Sequence, residues 1–256
     1  MNPLGFLLAF VSALYCQDCS SESCEKLYKK VTVAKFWDGM ESSILHEVPL
    51  VSKIACGFHC NLLTECRMFC YKGDRCILSG AYVSPHWNAS VGQADFPIGY
   101  EVCYTSWWVH NDVVATTKKY NSDQYHGKYA PELAIDGFYQ INSLSLYVTL
   151  LQLNPWVTFE MKESTWVVEV RVATRADLGQ FNYVTIYLGD TPVSSYSDLN
   201  GYPVFARFNG ESIKGEVKAF RYGSNNGMKG KYITFSSNLS GNEIYFAIGE
   251  LQIISA

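Results

Sequence analysis

Apolar residues recur at helical spacing in one part of the chain. Between residues 52 and 63 they fall on adjacent turns at Ile54, Phe58 and Leu62, which predicts a helix with Ser52 as its N-cap. Cys56 and Cys60 are four residues apart and would share one face of that helix. Short apolar runs follow at 66–71 and 75–78, separated by the turn-forming Lys-Gly-Asp, and they predict two strands. This part of the chain is expected to combine one helix with a small sheet.

The pattern changes after residue 108. Short runs rich in β-branched and aromatic residues occur at 166–174, 183–188, 216–222 and 231–235, bounded by Gly, Asn, Asp and Pro. Val168, Val170 and Val172 alternate with other residues and are expected on one face of a strand. Without helical periodicity, these runs predict an antiparallel sandwich or barrel.

The N-terminus carries an apolar run of about eleven residues, 4–14, which has the length of a signal-peptide core. Cleavage could follow Ala13 or Cys16. We prefer the second, because it leaves an even number of cysteines. The alternative is a buried N-terminal segment of the mature fold. No later stretch has the length of a transmembrane helix, so a secreted, extracellular protein is expected. Asn88 and Asn238 begin glycosylation sequons that suit this compartment.

Cysteine content divides the chain of 256 residues in the same place as the apolar pattern. All nine cysteines lie between Cys16 and Cys103. We therefore predict a signal peptide at 1–16, a disulfide-rich domain at 17–107 and a β-sandwich at 108–256. The net charge of −4, without a basic cluster, argues against a nucleic-acid partner.

A zinc site is the alternative to disulfides in this region. The central cysteines are spaced by 4, 6, 4 and 6 residues, which fits poorly with the close Cys-x2-Cys pairs typical of zinc sites. In an oxidising compartment we expect disulfides instead.

Four segments together resemble a PAN/apple domain over about residues 20–105. They are Ala-Cys-Gly-Phe-His-Cys at 55–60, Glu-Cys-Arg-Met-Phe-Cys-Tyr at 65–71, Arg-Cys-Ile-Leu at 75–78 and Tyr-Glu-Val-Cys-Tyr at 100–104. The resemblance implies a module that binds proteins or carbohydrates. It also implies the disulfides Cys56–Cys76, Cys60–Cys66, Cys103 with Cys19 or Cys24, and Cys70 with the remaining cysteine.

Six segments of the second part resemble, in order, the galactose-binding-like jelly roll of F5/8 type C domains, and more closely that of F-type lectins. They are the stretches 132–137, 154–161, 175–177, 183–189, 230–234 and 248–253. The expected fold is thus an α+β disulfide-rich PAN/apple-like domain followed by an all-β jelly-roll sandwich.

F-type lectins hold a sugar with the pattern His-x26-Arg-x-Asp-x4-Arg/Lys, and this chain matches it in part. The resemblance implies a carbohydrate site made of Arg175, Asp177, Asn182, Val148 and Thr149. Val148 stands where the family has His, and Asn182 where it has a second basic residue. Each lost hydrogen bond costs roughly 1–3 kcal/mol, which puts fucose binding in the family's manner in doubt.

Other residues offer alternatives at the sugar site. His126 could supply a missing donor, or could be a solvated surface residue. Arg175 and Asp177 could form a structural ion pair instead of binding a ligand. Trp156 and Trp166 could stack on a sugar face, although tryptophans on apolar strands are more often part of a core.

The F-type lectin resemblance also implies a structural calcium ion. Its ligands would be the side chains of Asp136, Ser145 and Glu250 and the carbonyls of Leu133 and Phe138. The alternative is that Asp136 only forms a turn with the glycine that follows it. No organic cofactor is expected.

Catalytic motifs are absent from the sequence, and no histidine lies beyond His126, so we expect no enzyme activity. We predict a secreted lectin-like protein whose partners are glycans, glycoproteins or other extracellular proteins. The alternative is an adhesion or matrix module that binds protein or lipid and has lost sugar binding. Exposed apolar loop residues would favour this alternative, and the candidates are Tyr139, Ile141, Leu144 and Leu146.

Overall fold

The computed structural model describes residues 28–32, 44–50, 52–84, 102–106, 112–113, 115–120, 128–139, 146–175, 178–224, 226–238 and 241–256. Several predictions fall outside these ranges. They concern the signal peptide and Cys16, Cys19, Cys24, Asn88, His126, Ile141, Leu144, Ser145 and Asp177.

The cysteine-rich half contains one helix and six strands within the described ranges. In chain order they are β1 (Lys29–Thr32), β2 (Ile44–Pro49), α1 (Lys53–Leu62), β3 (Met68–Lys72), β4 (Arg75–Ser79), β5 (Tyr82–Val83) and β6 (Val102–Thr105). Five strands form an antiparallel sheet in the order β1-β6-β3-β4-β2. This confirms the predicted combination of one helix with a small sheet.

Helix α1 begins at the N-cap that the sequence predicts, and it packs through the two cysteines that were expected to share one face. Ser52 accepts a hydrogen bond from the Ala55 N–H at 3.2 Å, so it is the N-cap. Cys56 and Cys60 are the buried residues of the helix, whereas Ile54 and Leu62 are exposed. The cysteines rather than the aliphatic stripe therefore attach the helix to the sheet.

Two disulfides confirm the pairing that the PAN/apple resemblance implied. Cys56 bonds Cys76, and Cys60 bonds Cys66. Cys56–Cys76 connects the helix to β4, and Cys60–Cys66 connects it to the segment that leads into β3. The PAN/apple assignment itself and the domain boundary at 107 stay predictions.

The third disulfide corrects the sequence prediction. Cys103 bonds Cys70, not Cys19 or Cys24. Strands β3 and β6 are neighbours, and their register places Cys70 directly opposite Cys103, with Cα atoms 4.0 Å apart. Cysteine spacing carries no information on this register, because the pairing joins strands that are far apart in sequence.

Among the described residues of the second half, the regular elements are almost all strands. They are β7 (Ala115–Tyr120), β8 (Phe138–Tyr139), β9 (Tyr147–Val148), β10 (Trp156–Ala173), β11 (Val184–Gly189), β12 (Val204–Phe208), β13 (Val217–Arg221), β14 (Met228–Ser237), β15 (Ala247–Ile248) and β16 (Glu250–Ser255). Two 3₁₀ turns, Pro131–Ala134 and Tyr196–Leu199, lie between strands.

Strand β10 belongs to two layers. Its first part pairs with β14 and β7, and its last part pairs with β13 and β16, with an irregularity between Glu160 and Thr165. All seven strands are hydrogen-bonded into one sheet through β10, whose first part belongs to the layer β12-β11-β14-β10-β7 and whose last part belongs to the layer β13-β10-β16. Buried residues of both layers form one core that includes Val157, Phe235 and Ile253. The layers thus pack as a jelly-roll-like β-sandwich, as the sequence predicts.

The centre of this core is aromatic. Phe181 lies with its ring centroid about 6 Å from four other rings, those of Phe208, Phe220, Phe235 and Phe246. Because Phe181 follows β10 and precedes β11, it ties the two layers together at the end where both strands meet their loops.

The predicted set of core-facing residues on β10 is wrong at one position, Val168. Val170 and Val172 are in the core, but Val168 is only half-buried, and Val167 is in the core in its place. The pairing with β16 is irregular between Val167 and Glu169, which shifts the alternation by one residue.

A short two-stranded ribbon connects the halves. Strand β5 of the cysteine-rich half pairs with β8 of the sandwich, and the Ser84 N–H donates to the Gly137 carbonyl at 2.6 Å. No helix within the described ranges is long and apolar enough to cross a membrane.

Candidate functional site

Loops of the sandwich meet at one end, which we call the loop end. It consists of the described residues in the segments 149–155, 174–182, 209–216 and 238–246. Gln152 pairs with Ile244, and the Ala247 N–H donates to the Gln180 carbonyl at 2.9 Å. The Gly215 N–H donates to the Arg175 carbonyl at 3.0 Å. These backbone bonds hold the loops together, so residues far apart in sequence share one surface.

Arg175 lies at this end with its side chain half-buried. Its Nη1 donates to Oε1 of Gln180 at 2.9 Å. The sequence suggested a pair with Asp177, which lies outside the described residues. The observed partner in this contact is the neutral amide of Gln180, and the hydrogen bond holds the guanidinium in position.

Asn182 has a supporting role. Its Nδ2 donates to the Gly179 carbonyl at 3.1 Å, and its Oδ1 accepts from the Ser212 N–H at 2.7 Å. A Cβ on Gly179 would lie 2.2 Å from the Ser212 carbonyl oxygen, so only glycine allows this approach. The amide of Asn182 thus joins two loops and has little capacity left for a ligand.

Val148 and Thr149 do not face the solvent, which corrects their assignment to the carbohydrate site. Val148 is 1% exposed and Thr149 is 0% exposed. Val148 pairs with Ala247, and the Thr149 hydroxyl accepts from the Phe246 N–H at 3.0 Å. Both residues are buried and hold the loop end in place through these contacts.

The two tryptophans divide between core and surface. Trp156 is 2% exposed and belongs to the core, whereas Trp166 is 49% exposed. Trp166 starts the part of β10 that ends at Ala173, two residues before Arg175. At about 3.3 Å per residue, the strand places Trp166 roughly 23 Å from Ala173. It cannot stack on a sugar held by Arg175.

Exposed apolar residues at the loop end were not found from the sequence. Among the described residues, nine large apolar side chains are at least 36% exposed, and six of them lie here. We call these six the apolar crown: Leu150, Leu151, Leu153, Leu178, Ile213 and Tyr245. The run of leucines at 150–153 was the available signal. The sequence candidates Tyr139 and Leu146 are buried instead.

A separate group of acidic residues lies near β16. The Phe138 N–H donates to Oδ1 of Asp136 at 2.8 Å, and Gly137 between them has φ of 80°, so Asp136 does form the turn that the alternative interpretation proposed. Glu250 is 2% exposed, and its Oε2 has no hydrogen-bond partner. Burial, and then the nearby carboxylates of Asp136 and Asp112, raise the pKa of Glu250 well above its usual value.

Asp112 precedes β7 and lies close to this group. Burial raises the pKa of Asp112 to about 6, although a hydrogen bond from Gln252 opposes the shift. Within the described part of the chain, no cluster of three or more Asp, Glu, His or Cys side chains is arranged to hold a metal ion. A cation here would need carbonyl oxygens as well, and Leu133 and Phe138 are in the adjacent segment.

Two of the residues expected as calcium ligands, Asp136 and Glu250, lie near each other. Calcium prefers oxygen ligands with some negative charge, and two adjacent carboxylates, one with an unpaired buried oxygen, provide them. Ser145, the remaining expected ligand, lies outside the described residues.

A groove lined by described residues lies elsewhere. It has a volume of about 630 Å³ and is lined by the segment 189–203, including Asp190, Asn200 and Tyr202. This segment follows the end of β11 that is remote from Asn182, so the groove is at the opposite end of the sandwich. None of the residues predicted for sugar or calcium lies in it.

No family model and no curated protein matches the sequence. Solved structures similar to the chain include a fucose-binding module of Streptococcus pneumoniae, 19% identical, with a TM-score of 0.43, over 57% of this chain and 96% of that one. The galactose complex of the family 32 carbohydrate-binding module of C. perfringens NanJ is 15% identical, with a TM-score of 0.41, over 56% and 97%. A mutant lectin domain of lectinolysin with Lewis b is 14% identical, with a TM-score of 0.43, over 56% and 94%.

Proposed function

We propose that this is a secreted, non-enzymatic carbohydrate-binding protein that holds a glycan at the loop end of its sandwich. The observation that carries the proposal is Arg175, which is half-buried and fixed by its 2.9 Å hydrogen bond to Gln180. A fixed guanidinium presents several N–H donors in one plane, and sugar hydroxyl and ring oxygens accept such bonds.

The loop end also has apolar surface for the C–H face of a sugar. Tyr245 is exposed two residues before Ala247, whose N–H binds the Gln180 carbonyl, and Leu178 is exposed two residues before Gln180. An aromatic ring close to fixed polar donors is an arrangement that suits a sugar, because each sugar has an apolar face and a polar edge.

Calcium has a structural part in this proposal. Asp136 and Glu250, with the carbonyls of Leu133 and Phe138, would hold the ion. When bound, the ion supplies positive charge that offsets the repulsion between the carboxylates. Asp136 precedes β9 in the chain, and β9 supports the loop end, so the ion would stabilise the site without contacting the glycan.

The remaining parts of the proposal concern the setting of the protein. Three disulfides suit an extracellular protein. Residues 17–107 would form a PAN/apple-like module that contacts glycoproteins or other extracellular proteins, and two linked weak sites would gain from avidity. Asn88 and Asn238 would carry glycans, and Asn238 is exposed.

A glycan array tests the sugar proposal. We expect binding to at least one glycan, with an affinity that falls roughly 5- to 150-fold in Arg175→Ala, corresponding to the ~1–3 kcal/mol of a lost charged hydrogen bond. The matched control is Arg75→Ala, which removes an exposed arginine of the cysteine-rich half that pairs with Glu47. Equal affinity of Arg175→Ala and wild type would contradict the assignment of the site.

The apolar crown favours a second candidate function, the binding of a lipid or protein surface. Six exposed apolar side chains on adjoining loops are more than a sugar site needs. The triple variant Leu150→Ser/Leu151→Ser/Leu153→Ser should then lose binding to phosphatidylcholine vesicles. The control, Ile54→Ser/Leu62→Ser, removes exposed apolar residues from α1. Vesicle binding with silence on every glycan would support this candidate over the sugar proposal.

A further inference from the structure

One residue beside the loop end has a backbone conformation that its side chain disfavours. Tyr183, which precedes β11, has a φ of 49°. Within the described ranges, the other residue with positive φ, apart from glycines, is Asn154 at the loop end. Asparagine adopts this left-handed conformation far more readily than tyrosine does. Because strained residues cluster at binding sites, the strain makes Tyr183 a candidate for a role in binding.

The fold requires the conformation of Tyr183 but not its side chain. Phe181 and Val184 are both in the core with two residues between them, so the chain cannot alternate here as a regular strand does. The Tyr183 N–H donates to the Gly210 carbonyl at 2.9 Å, and the Tyr183 carbonyl accepts from the Asn238 N–H at 3.2 Å. Glycine or asparagine would make the same backbone contacts with less strain. The backbone therefore does not explain why a tyrosine stands at this position.

The side chain of Tyr183 is available to a ligand. It is half-buried, so part of it reaches the solvent. Within the described part of the chain, no residue hydrogen-bonds its hydroxyl and no aromatic ring packs on it. A tyrosine in this state presents an apolar ring face and a hydroxyl that both donates and accepts. A sugar ring, which has an apolar face and polar hydroxyl groups, matches this chemistry.

One loop connects Tyr183 to the arginine of the proposed glycan site. The segment 209–216 binds the Tyr183 N–H through the Gly210 carbonyl, and its Gly215 N–H donates to the Arg175 carbonyl at 3.0 Å. The two glycines are five residues apart, so these contacts lie at most roughly 18 Å from each other. Tyr183 and Arg175 therefore occupy different positions along one surface, within the reach of a short oligosaccharide.

We propose that Tyr183 forms a second sugar subsite, and that the ligand of the loop end is an oligosaccharide with one sugar at Arg175 and another at Tyr183. This inference rests on the proposed function and narrows it from a glycan to an oligosaccharide. Arg175 binds oxygens of the first sugar through its N–H donors, and the ring of Tyr183 stacks on the second sugar. The left-handed conformation of Tyr183 holds that ring at the edge of the loop end.

Calorimetric titration of the full chain tests the subsite. The ligands are the strongest oligosaccharide of the glycan array and the methyl glycosides of its component sugars. Wild type should bind the oligosaccharide at least about tenfold more tightly than any of the methyl glycosides. Tyr183→Asn should lower the oligosaccharide affinity about tenfold, the size expected for one aromatic contact, and leave methyl glycoside binding unchanged. The matched control, Tyr183→Phe, keeps the ring and should retain the oligosaccharide affinity.

A glycan attached to Asn238 is a second source of sugar for this subsite, because the Asn238 N–H contacts the Tyr183 carbonyl. All proteins in the titration therefore carry Ser240→Ala, which removes the sequon and leaves Asn238 in place. An effect of Tyr183→Asn in this background comes from the added oligosaccharide alone.

Stability separates a role in binding from a role in the fold. Tyr183→Asn relieves the backbone strain, so it should unfold at the same or a higher urea concentration than wild type. A tyrosine that stabilised the fold would instead give the variant a lower urea midpoint. A lower midpoint, or failure of the variant to fold, would assign Tyr183 to the fold and overturn the proposal.

The outcomes also separate the subsite from the proposed function. Loss of binding in Arg175→Ala with no effect of Tyr183→Asn would leave glycan binding at the loop end and reject the subsite. Equal affinities of wild type for the oligosaccharide and for one methyl glycoside would reject the subsite as well. Absence of binding to every array glycan would reject both the subsite and the proposed function.

Discussion

Removal of the Cys70–Cys103 disulfide should destabilise the cysteine-rich half more than removal of Cys60–Cys66. The first bond closes a sequence separation of 33 residues and the second one of 6. Loop-closure entropy gives roughly 3.7 kcal/mol for the long loop and roughly 2.2 kcal/mol for the short one. All four cysteines are fully buried, so alanine substitution removes similar packing from each pair. The double variants should therefore differ by about 1.5 kcal/mol.

The assay is hydrogen exchange of the β3 and β4 amides in increasing urea, on the full chain. Peptide mapping without reduction should first find Cys70 linked to Cys103 in the wild type. A bond from Cys103 to another cysteine, or equal loss of stability in the two double variants, would refute the reasoning. Equal losses would mean that the unfolded chain is not constrained in proportion to loop length.

Further predictions concern the sandwich. Burial raises the pKa of Glu169, but hydrogen bonds from two arginines lower it overall, so its contribution to stability exists above about pH 4.5 and disappears as the pH falls through the lowered pKa. Glu169→Gln should cost about 1–2 kcal/mol at pH 7 by urea denaturation, and this cost should shrink as the pH falls through the lowered pKa; a constant difference would contradict this. Gly189→Ala should cost about 1–3 kcal/mol because the new Cβ would lie 2.8 Å from the Tyr202 hydroxyl, whereas Gly223→Ala, with open space around it, should be neutral in the same assay. Phe181→Ala should cost about 3–5 kcal/mol in thermal unfolding, and a loss below 1 kcal/mol would show that the aromatic centre repacks.

Local signals in the sequence were sufficient for the helix and the main strands, whereas the two confirmed disulfides came from the PAN/apple resemblance. Ser52 marks the start of α1 through its side-chain cap, and the i, i+4 spacing of Cys56 and Cys60 places both on the buried face. Runs of β-branched residues identify the strands around Val170 and Ile186. These features depend on neighbours in sequence, and for this reason they are readable without the fold.

Features that depend on the pairing of strands far apart in the sequence could not be predicted. The bond of Cys103 to Cys70 requires the register of β3 and β6. The irregularity at Val167 exchanges the residue that enters the core, and nothing in the run of valines marks it. The burial of Val148 and Thr149 follows from the pairing of β9 with β15, one hundred residues later in the chain.

The candidate site likewise combines a residue that the sequence identified with features that depend on the fold. Arg175 was found because it matches a family pattern, yet its partner Gln180 and the exposure of Tyr245 depend on how four loops meet. The apolar crown arises from the same arrangement. Matching the sequence to a family pattern could therefore identify Arg175, but it could not identify the exposed side chains around it.

The most direct test of the central claim is an NMR titration of the labelled protein with the strongest glycan from the array. We expect the largest shift changes at Arg175, Gln180 and Tyr245, including the Arg175 side-chain N–H signals, and little change at the remote groove that includes Asp190. Changes confined to that groove, or no saturable change with any array glycan, would contradict the account.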